Sequence, residues 1–203
     1  GITGLWDFDN GGVLPDACDI ESALSYIDYN RLAVDGDTVT AEKGTKVDLG
    51  AVGKGAACDA AREVLAARGV KGAVVSVGGS VLAYGRRNAA GDKWRIAVRH
   101  PREADSYLGI ITLDEGCVST SGDYEKYFEK DGVRYHHLLD PATGYPAESD
   151  LISVTVVCKS GLLSDALSTA CFVLGSARGT ALVEAFAAGA VFVLTDGTIE
   201  VGG

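Results

Sequence analysis

The spacing of apolar residues divides the chain into short blocks, and each block predicts an element. Gly1 to Pro15 has no period and predicts a loop, apart from the aromatic pair Trp6 and Phe8. "PDACDIESALSYI" predicts a short helix with acids in its first turn, where the helix dipole favours them. In "RLAVDGDTVTAEKG", Asp35-Gly36 lies between apolar runs and predicts a hairpin. From Gly55 to Arg68, the residues Ala57, Ala61, Val64, Leu65 and Arg68 recur at helical spacing, and Gly69 supplies the stop. "GAVVSVGGSVLAYG" reads as strand, double-glycine turn or bulge, strand. "WRIAVRHP" alternates Trp94, Ile96 and Val98 on one face, which predicts a half-buried strand. "SYLGIITL" and "LISVTVVC" predict further strands. "SGLLSDALSTACFVLG" predicts a helix ending at Gly175, and "SARGTALVEAFAAG" one ending at Gly189. "AVFVLTDGTIEVG" predicts a last hairpin turning at Asp196-Gly197. Helices and hairpins alternate without regular βαβ units, so the expected fold is α+β with a largely antiparallel sheet and packed helices. No repeat, linker or second boundary interrupts residues 1–203, which read as one domain.

Charge narrows the function classes. The formal net charge is -10, from 28 acidic and 18 basic residues. Such a surface repels nucleic acid and anionic membrane, whereas an acidic site attracts a divalent cation. The five cysteines form no C-x-x-C pair and their count is odd. Cys117, Cys158 and Cys171 have apolar neighbours, so buried thiols are expected in preference to a disulfide framework. No apolar run approaches the roughly 18 residues of a membrane span, and no signal peptide is evident. The chain has no methionine and begins at Gly1, which reads as a mature or excised piece.

Chemistry is suggested first by "VDLGAVGKGAACDAAREVL", where glycines surround Lys54 as a strand runs into a helix. This is the setting of a phosphate site, but the familiar motifs do not fit. A Walker loop would need glycine at Asp48 and Ser or Thr at Gly55, and a dinucleotide fingerprint would need glycine at Cys58. Lys54 is open to a second reading as a solvated side chain among glycines that only permit tight turns. In "SDALSTA", Asp165 and Thr169 are four apart on a helix and share one face. Carboxylate and hydroxyl are hard ligands suited to magnesium or calcium. Alternatively, Ser164 or Asp165 serves the helix N-terminus and Thr169 bonds back to a carbonyl.

"YHHLLDPATGYP" places two of the chain's three histidines side by side. In extended backbone they face opposite sides and cannot chelate together, and no cysteine cluster accompanies them, so zinc is not expected. One of them facing a cleft would suit a general base or a phosphate partner, while Asp140-Pro141 and Thr143-Gly144 build a turn. "STSGDYEKYF" has neither G-x-S-x-G nor S-x-x-K around Ser121 and reads by itself as a polar loop.

Taken in order, "VDLGAVGKGAACDAA", "VVSVGGSVLAYG", "WRIAVRHP", "STSGDYE", "HHLLDPATGYP" and "SDALSTACFVLG" resemble the ApbE family of magnesium-dependent FAD:protein FMN transferases. The resemblance runs from about Trp6 to the end. It implies an ApbE-like, T-fold-related architecture, Mg2+ as cofactor and FAD as the substrate. FMN would pass to a threonine or serine hydroxyl of an acceptor flavoprotein of a redox complex, and AMP would leave. Two other activities are compatible with the same motifs: an FAD pyrophosphatase giving FMN and AMP, and a non-catalytic FAD-binding module.

Matched motif to motif, the resemblance makes Asp165 and Thr169 the magnesium ligands, with a main-chain carbonyl from Gly53, where relatives often have alanine. It sets Lys54 near metal and phosphates, and makes Asp59, Thr120, Ser121, Gly122 and Glu125 contacts of the nucleotide. His137 becomes the general base, with Asp140 shaping its loop. Relatives usually have asparagine where this chain has Ser80, and they carry an N-terminal portion, part of the flavin pocket, ahead of "GLWDF". The family also implies work at the extracytoplasmic face of the bacterial cell membrane or in the periplasm, with any membrane association through a segment outside these residues.

Overall fold

Trp6 has no exposed surface and organises the smaller of two compact units in the computed structural model, which describes residues 1–203. This unit comprises Gly1–Leu49 and Glu125–Glu148, and the larger one Gly50–Tyr124 and Ser149–Gly203. The smaller unit starts with α1 (Thr3–Trp6) and a 3-10 turn at Phe8–Asn10, where the sequence predicts a loop. Ile2 and Trp6, one turn apart, both enter the core with Ile20 of α2 (Ala17–Leu24); that burial gives a short, capless helix its stability. The Trp6 ring stacks on Phe8 with centroids 5.8 Å apart, and its indole N–H donates to Gly144 O at 3.0 Å. A hairpin follows, β1 (Leu32–Asp35) and β2 (Thr38–Ala41). Asp35 pairs with Thr38, so its turn is Gly36-Asp37, one residue beyond the predicted one, with Gly36 at φ 55°.

The larger unit opens on α3 (Gly53–Ala67), which begins two residues before the predicted start. Its buried positions are Gly55 and Cys58, with Ala61 and Leu65 packed alongside, whereas Val64 is exposed. Next come β3 (Gly72–Val77), β4 (Ser80–Gly85), the hairpin β5 (Trp94–Arg99) and β6 (Tyr107–Leu113), and β7 (Gly116–Gly122). The chain then enters the smaller unit as β8 (Tyr127–Lys130) and β9 (Val133–His136), and returns as β10 (Leu151–Cys158). It ends with α4 (Gly161–Leu174), α5 (Ser176–Ala185), β11 (Gly189–Leu194) and β12 (Ile199–Gly202). α5 stops earlier than predicted because Ala187 turns at φ 50° and Gly189 already belongs to a strand.

Six strands form one antiparallel sheet in the order β12-β11-β10-β7-β4-β3, as the α+β reading anticipates. α3, α4 and α5 pack on one face, where Cys58, Leu82 and Cys117 form a core. On the other face Ala83 and Val118 are covered by the β5-β6 hairpin, which contributes Leu113, Trp94, Ile96 and Ile111 to the same cluster. The cysteines are all free. Cys58, Cys117 and Cys171 are buried, while Cys158 is half-buried, correcting its expected place in the interior.

Candidate active site

The helices α3 and α4 meet backbone to backbone. A Cβ added at Gly55 would lie 2.0 Å from Gly161 O, and one at Gly161 would lie 2.4 Å from Gly55 O. Only glycine at both positions allows this approach. As a result the Gly55 N–H reaches Oδ2 of Asp165, one turn along α4, at 2.9 Å.

Asp165 is 1% exposed. Its second oxygen, Oδ1, accepts no hydrogen bond, yet lies 3.1 Å from Nζ of Lys54. The Lys54 contact is therefore Coulombic, without the alignment of a hydrogen bond. A buried carboxylate oxygen with unused lone pairs is a fitting place for a hard dication. Lys54 also donates to Gly50 O at 3.2 Å.

Asp59 of α3 caps α4. Its Oδ1 accepts from Gly161 N at 2.8 Å and Arg62 Nη1 at 2.6 Å, and its Oδ2 from Leu162 N and the Ser160 hydroxyl at 2.9 Å each. Burial opposes ionisation here, but the N–H groups of Leu162 and Gly161, the Ser160 hydroxyl and Arg62 outweigh it and hold the carboxyl below its ordinary range. The resemblance implies a nucleotide contact for Asp59; in the structure its oxygens set the start of the helix that carries Asp165 and Thr169. Because Asp59 and Ser160 provide the cap, neither Ser164 nor Asp165 does. Ser164 donates to Val156 O at 2.9 Å.

The polar segment around Ser121 is β7, a strand and not the loop its composition suggests. Alternation sends its side chains to opposite faces of the sheet. Ser121 faces α4, with its Oγ 2.8 Å from Ser168 Oγ and 3.2 Å from Thr169 Oγ1. Thr120 points to the other face and shares a hydrogen bond of 2.9 Å with Thr155. Gly122 ends the strand, buried. Ser119 donates to Ser80 at 2.9 Å, which occupies the position where relatives are expected to differ. The Gly78-Gly79 turn approaches the same region, since a Cβ on Gly78 would lie 3.2 Å from Lys54 Cδ and one on Gly79 3.0 Å from Thr120 O.

Gly53 is the first residue of α3, which directs its carbonyl along the helix toward the N–H four residues on. A carbonyl oxygen has two lone pairs, so the main-chain ligand that the resemblance implies from Gly53 stays compatible with its place in the helix, beside the side chains of Asp165 and Thr169. No three His, Cys, Asp or Glu side chains converge, so a cation there would be completed by hydroxyl, water or ligand oxygens.

His137, Asp140 and Glu125 lie in the smaller unit. His136, at the end of β9, is buried, and His137 is half-buried. Nδ1 of His137 lies 3.2 Å from Lys126 O. A carbonyl can only accept, so Nδ1 carries the proton and Nε2 the lone pair in the neutral ring. Phe8 meets the ring edge-on at 6.5 Å between centroids. Asp140 accepts from Ala142 N at 2.8 Å and shapes the turn after the histidines. Glu125 is exposed between β7 and β8. The same unit has a cavity of about 550 Å³ lined by Tyr26, Ile27, Tyr29, Leu32, Lys46 and Asp48 among others, and none of the residues singled out from sequence lines it.

The ApbE family model matches residues 1–193. This chain belongs to the ApbE family. Among its ApbE relatives, the FAD:protein FMN transferase of Treponema pallidum is 35% identical over 211 residues, covering 95% of this chain and 58% of that protein. One from Klebsiella pneumoniae is 36% identical, with 89% of this chain and 56% of that protein covered. The chain thus spans little more than half the length of these two relatives. Among solved ApbE structures, the protein from Thermotoga maritima superposes with a TM-score of 0.90 at 37% identity, covering 99% of this chain and 67% of that one. The flavinyl transferase ApbE from Pseudomonas stutzeri gives 0.83 at 39% identity, covering 99% and 64%.

Sequence reasoning missed Gly55, Gly161 and Ser168 of this ApbE site. The available signal was Gly55 inside a helical pattern, where glycine costs about 1 kcal/mol relative to alanine and so points to close packing.

Proposed function

We propose that this chain contains the catalytic part of an FAD:protein FMN transferase. The hydroxyl oxygen of an acceptor threonine or serine attacks the FMN phosphorus of FAD, and the bond from that phosphorus to the bridging oxygen breaks. AMP leaves, and the acceptor proton passes to Nε2 of His137. The observation that carries this proposal is the buried Asp165 carboxylate, with one oxygen fixed by Gly55 N–H and the other facing Lys54 without a hydrogen bond.

Asp165 and Thr169 would hold Mg2+, which supplies charge neutralisation on the diphosphate as the leaving group departs. Lys54 contributes a second positive charge beside the same carboxylate, suited to a phosphate oxygen. His137 is suited to its role by its tautomer, with the lone pair on Nε2. The extracytoplasmic placement belongs to the same proposal, and no helix is long and apolar enough to cross a membrane.

The test is to incubate the chain with FAD, Mg2+ and a threonine-bearing acceptor peptide, following AMP by chromatography and the peptide by mass. Transfer gives AMP together with a peptide heavier by FMN. Asp165→Ala is expected to lower AMP release by at least about a hundredfold. Free FMN beside an unmodified peptide would replace transfer with hydrolysis, and AMP release undiminished without Mg2+ would overturn the metal assignment.

A further inference from the structure

Three hydroxyls and one carbonyl form a chain between β7 and α4 in which the direction of every proton is determined. Ser168 Oγ donates to Asp165 O at 2.9 Å. A hydroxyl has a single proton, so Ser168 must accept in its 2.8 Å contact with Ser121. Ser121 is the donor there, which leaves it only lone pairs for the 3.2 Å contact with Thr169. Thr169 therefore donates to Ser121, and its own lone pairs are turned elsewhere.

We propose that Ser121 is a positioning residue for a cation on Thr169: by taking the Thr169 proton, it aims a lone pair of that hydroxyl at the metal. This rests on the metal assignment of the proposed function and adds Ser121 and Ser168 to it. A hydroxyl binds a cation through a lone pair and must direct its proton away. Free to rotate, Thr169 would have two nearby acceptors on its own helix face, the Asp165 carbonyl one turn back and the Asp165 carboxylate. Either would turn the hydroxyl from the orientation a metal needs. Ser168 occupies the carbonyl, and Ser121 offers Thr169 the alternative. Both serines are buried, at 7% and 0% exposure, so water does not compete for these protons. The role differs from the nucleotide contact that the motif match implies for Ser121, whose hydroxyl faces the helix.

The test is the affinity of the 203-residue chain for Mn2+ alone, measured by electron paramagnetic resonance, with thermal melting of each variant alongside. Ser121→Ala is expected to weaken Mn2+ binding about tenfold, the usual effect of losing a group that orients a metal ligand. Ser121→Thr, which keeps the hydroxyl, restores affinity to within about threefold of wild type. Ser168→Ala also weakens binding, because it frees the Ser121 proton to point at Thr169; it serves as the second probe if the threonine variant melts early. In a Thr169→Val background, Ser121→Ala causes no further loss. Wild-type affinity in Ser121→Ala, or a further loss in the Thr169→Val background, overturns the inference and leaves the metal assignment standing. No Mn2+ binding by the wild-type chain, or undiminished binding by Thr169→Val, overturns the metal assignment and the inference together.

Discussion

Gly55 and Gly161 touch through their backbones, and this contact lets an amide of α3 hold the carboxylate of α4. Gly55→Ala would force a methyl to within 2.0 Å of a carbonyl oxygen. The expected cost is about 1–3 kcal/mol or more, read as a lower urea midpoint. At Gly53, two residues earlier in α3, an added Cβ meets nothing within 4 Å. Gly53→Ala is expected to be neutral or to stabilise by up to about 1 kcal/mol. Equal losses at the two positions would show that helix propensity, and not the crossing, governs this segment.

Asp59 makes stability depend on acid pH. Its carboxyl is held below the ordinary aspartate value of about 3.9 in the folded chain. Above that value both states are ionised and the contribution is complete. As pH falls the unfolded state takes up the proton first, so the contribution is lost as pH drops through the lower folded value. The difference in urea midpoint between wild type and Asp59→Asn should therefore be constant from pH 7 to 5 and shrink below about pH 4.

Lys54 and a dication would share one carboxylate oxygen. Lys54→Met removes the competing charge at 3.1 Å, and Mn2+ affinity without nucleotide is expected to rise about tenfold, a value reduced by the partial exposure of the lysine. AMP release from FAD should fall in the same variant. Titration calorimetry with Mn2+ and the chromatographic assay separate the two effects.

The thiols should divide sharply by environment. Burial pushes Cys117 and Cys171 up to about 11 and also raises Cys58, so all three stay protonated and slow at pH 8. Cys18 is exposed. A native chain treated with a disulfide reagent at pH 8 should lose its fastest phase in Cys18→Ser, with the half-buried Cys158 reacting between that phase and the three buried thiols. All five cysteines should react in denaturant.

Much of the larger unit was legible because its elements have strong periods. The Val77-Gly78-Gly79-Ser80 turn, the alternation of Trp94, Ile96 and Val98, and the α4 boundaries at Ser160 and Gly175 follow from local chemistry. β7 was not legible, since Ser119, Thr120 and Ser121 lack the apolar alternation of a strand. Their pairing comes from β4 and β10 on either side, a tertiary effect that overrides composition. α1 was missed for a similar reason: its stability comes from the packing of Trp6 against distant residues, not from the helix propensity of so short a segment. The spacing of Asp165 and Thr169 was readable. The three residues that hold them in place, Gly55, Asp59 and Ser121, act across long sequence distances, which no local pattern reports.

The strands β7 and β10 are hydrogen-bonded neighbours in the middle of the sheet, although residues 123–150 separate them. During synthesis on the ribosome, β7 therefore emerges with one flank unsatisfied and must wait for the whole excursion before its partner appears. Closing so long a loop slows folding, and the serine-rich edge exposed in the interval has too little apolar surface to be a strong seed for aggregation. Asp165 and Thr169 leave the ribosome later still, so the carboxylate and hydroxyl of α4 can join Ser121 only after β7, the whole excursion and β10 have been made.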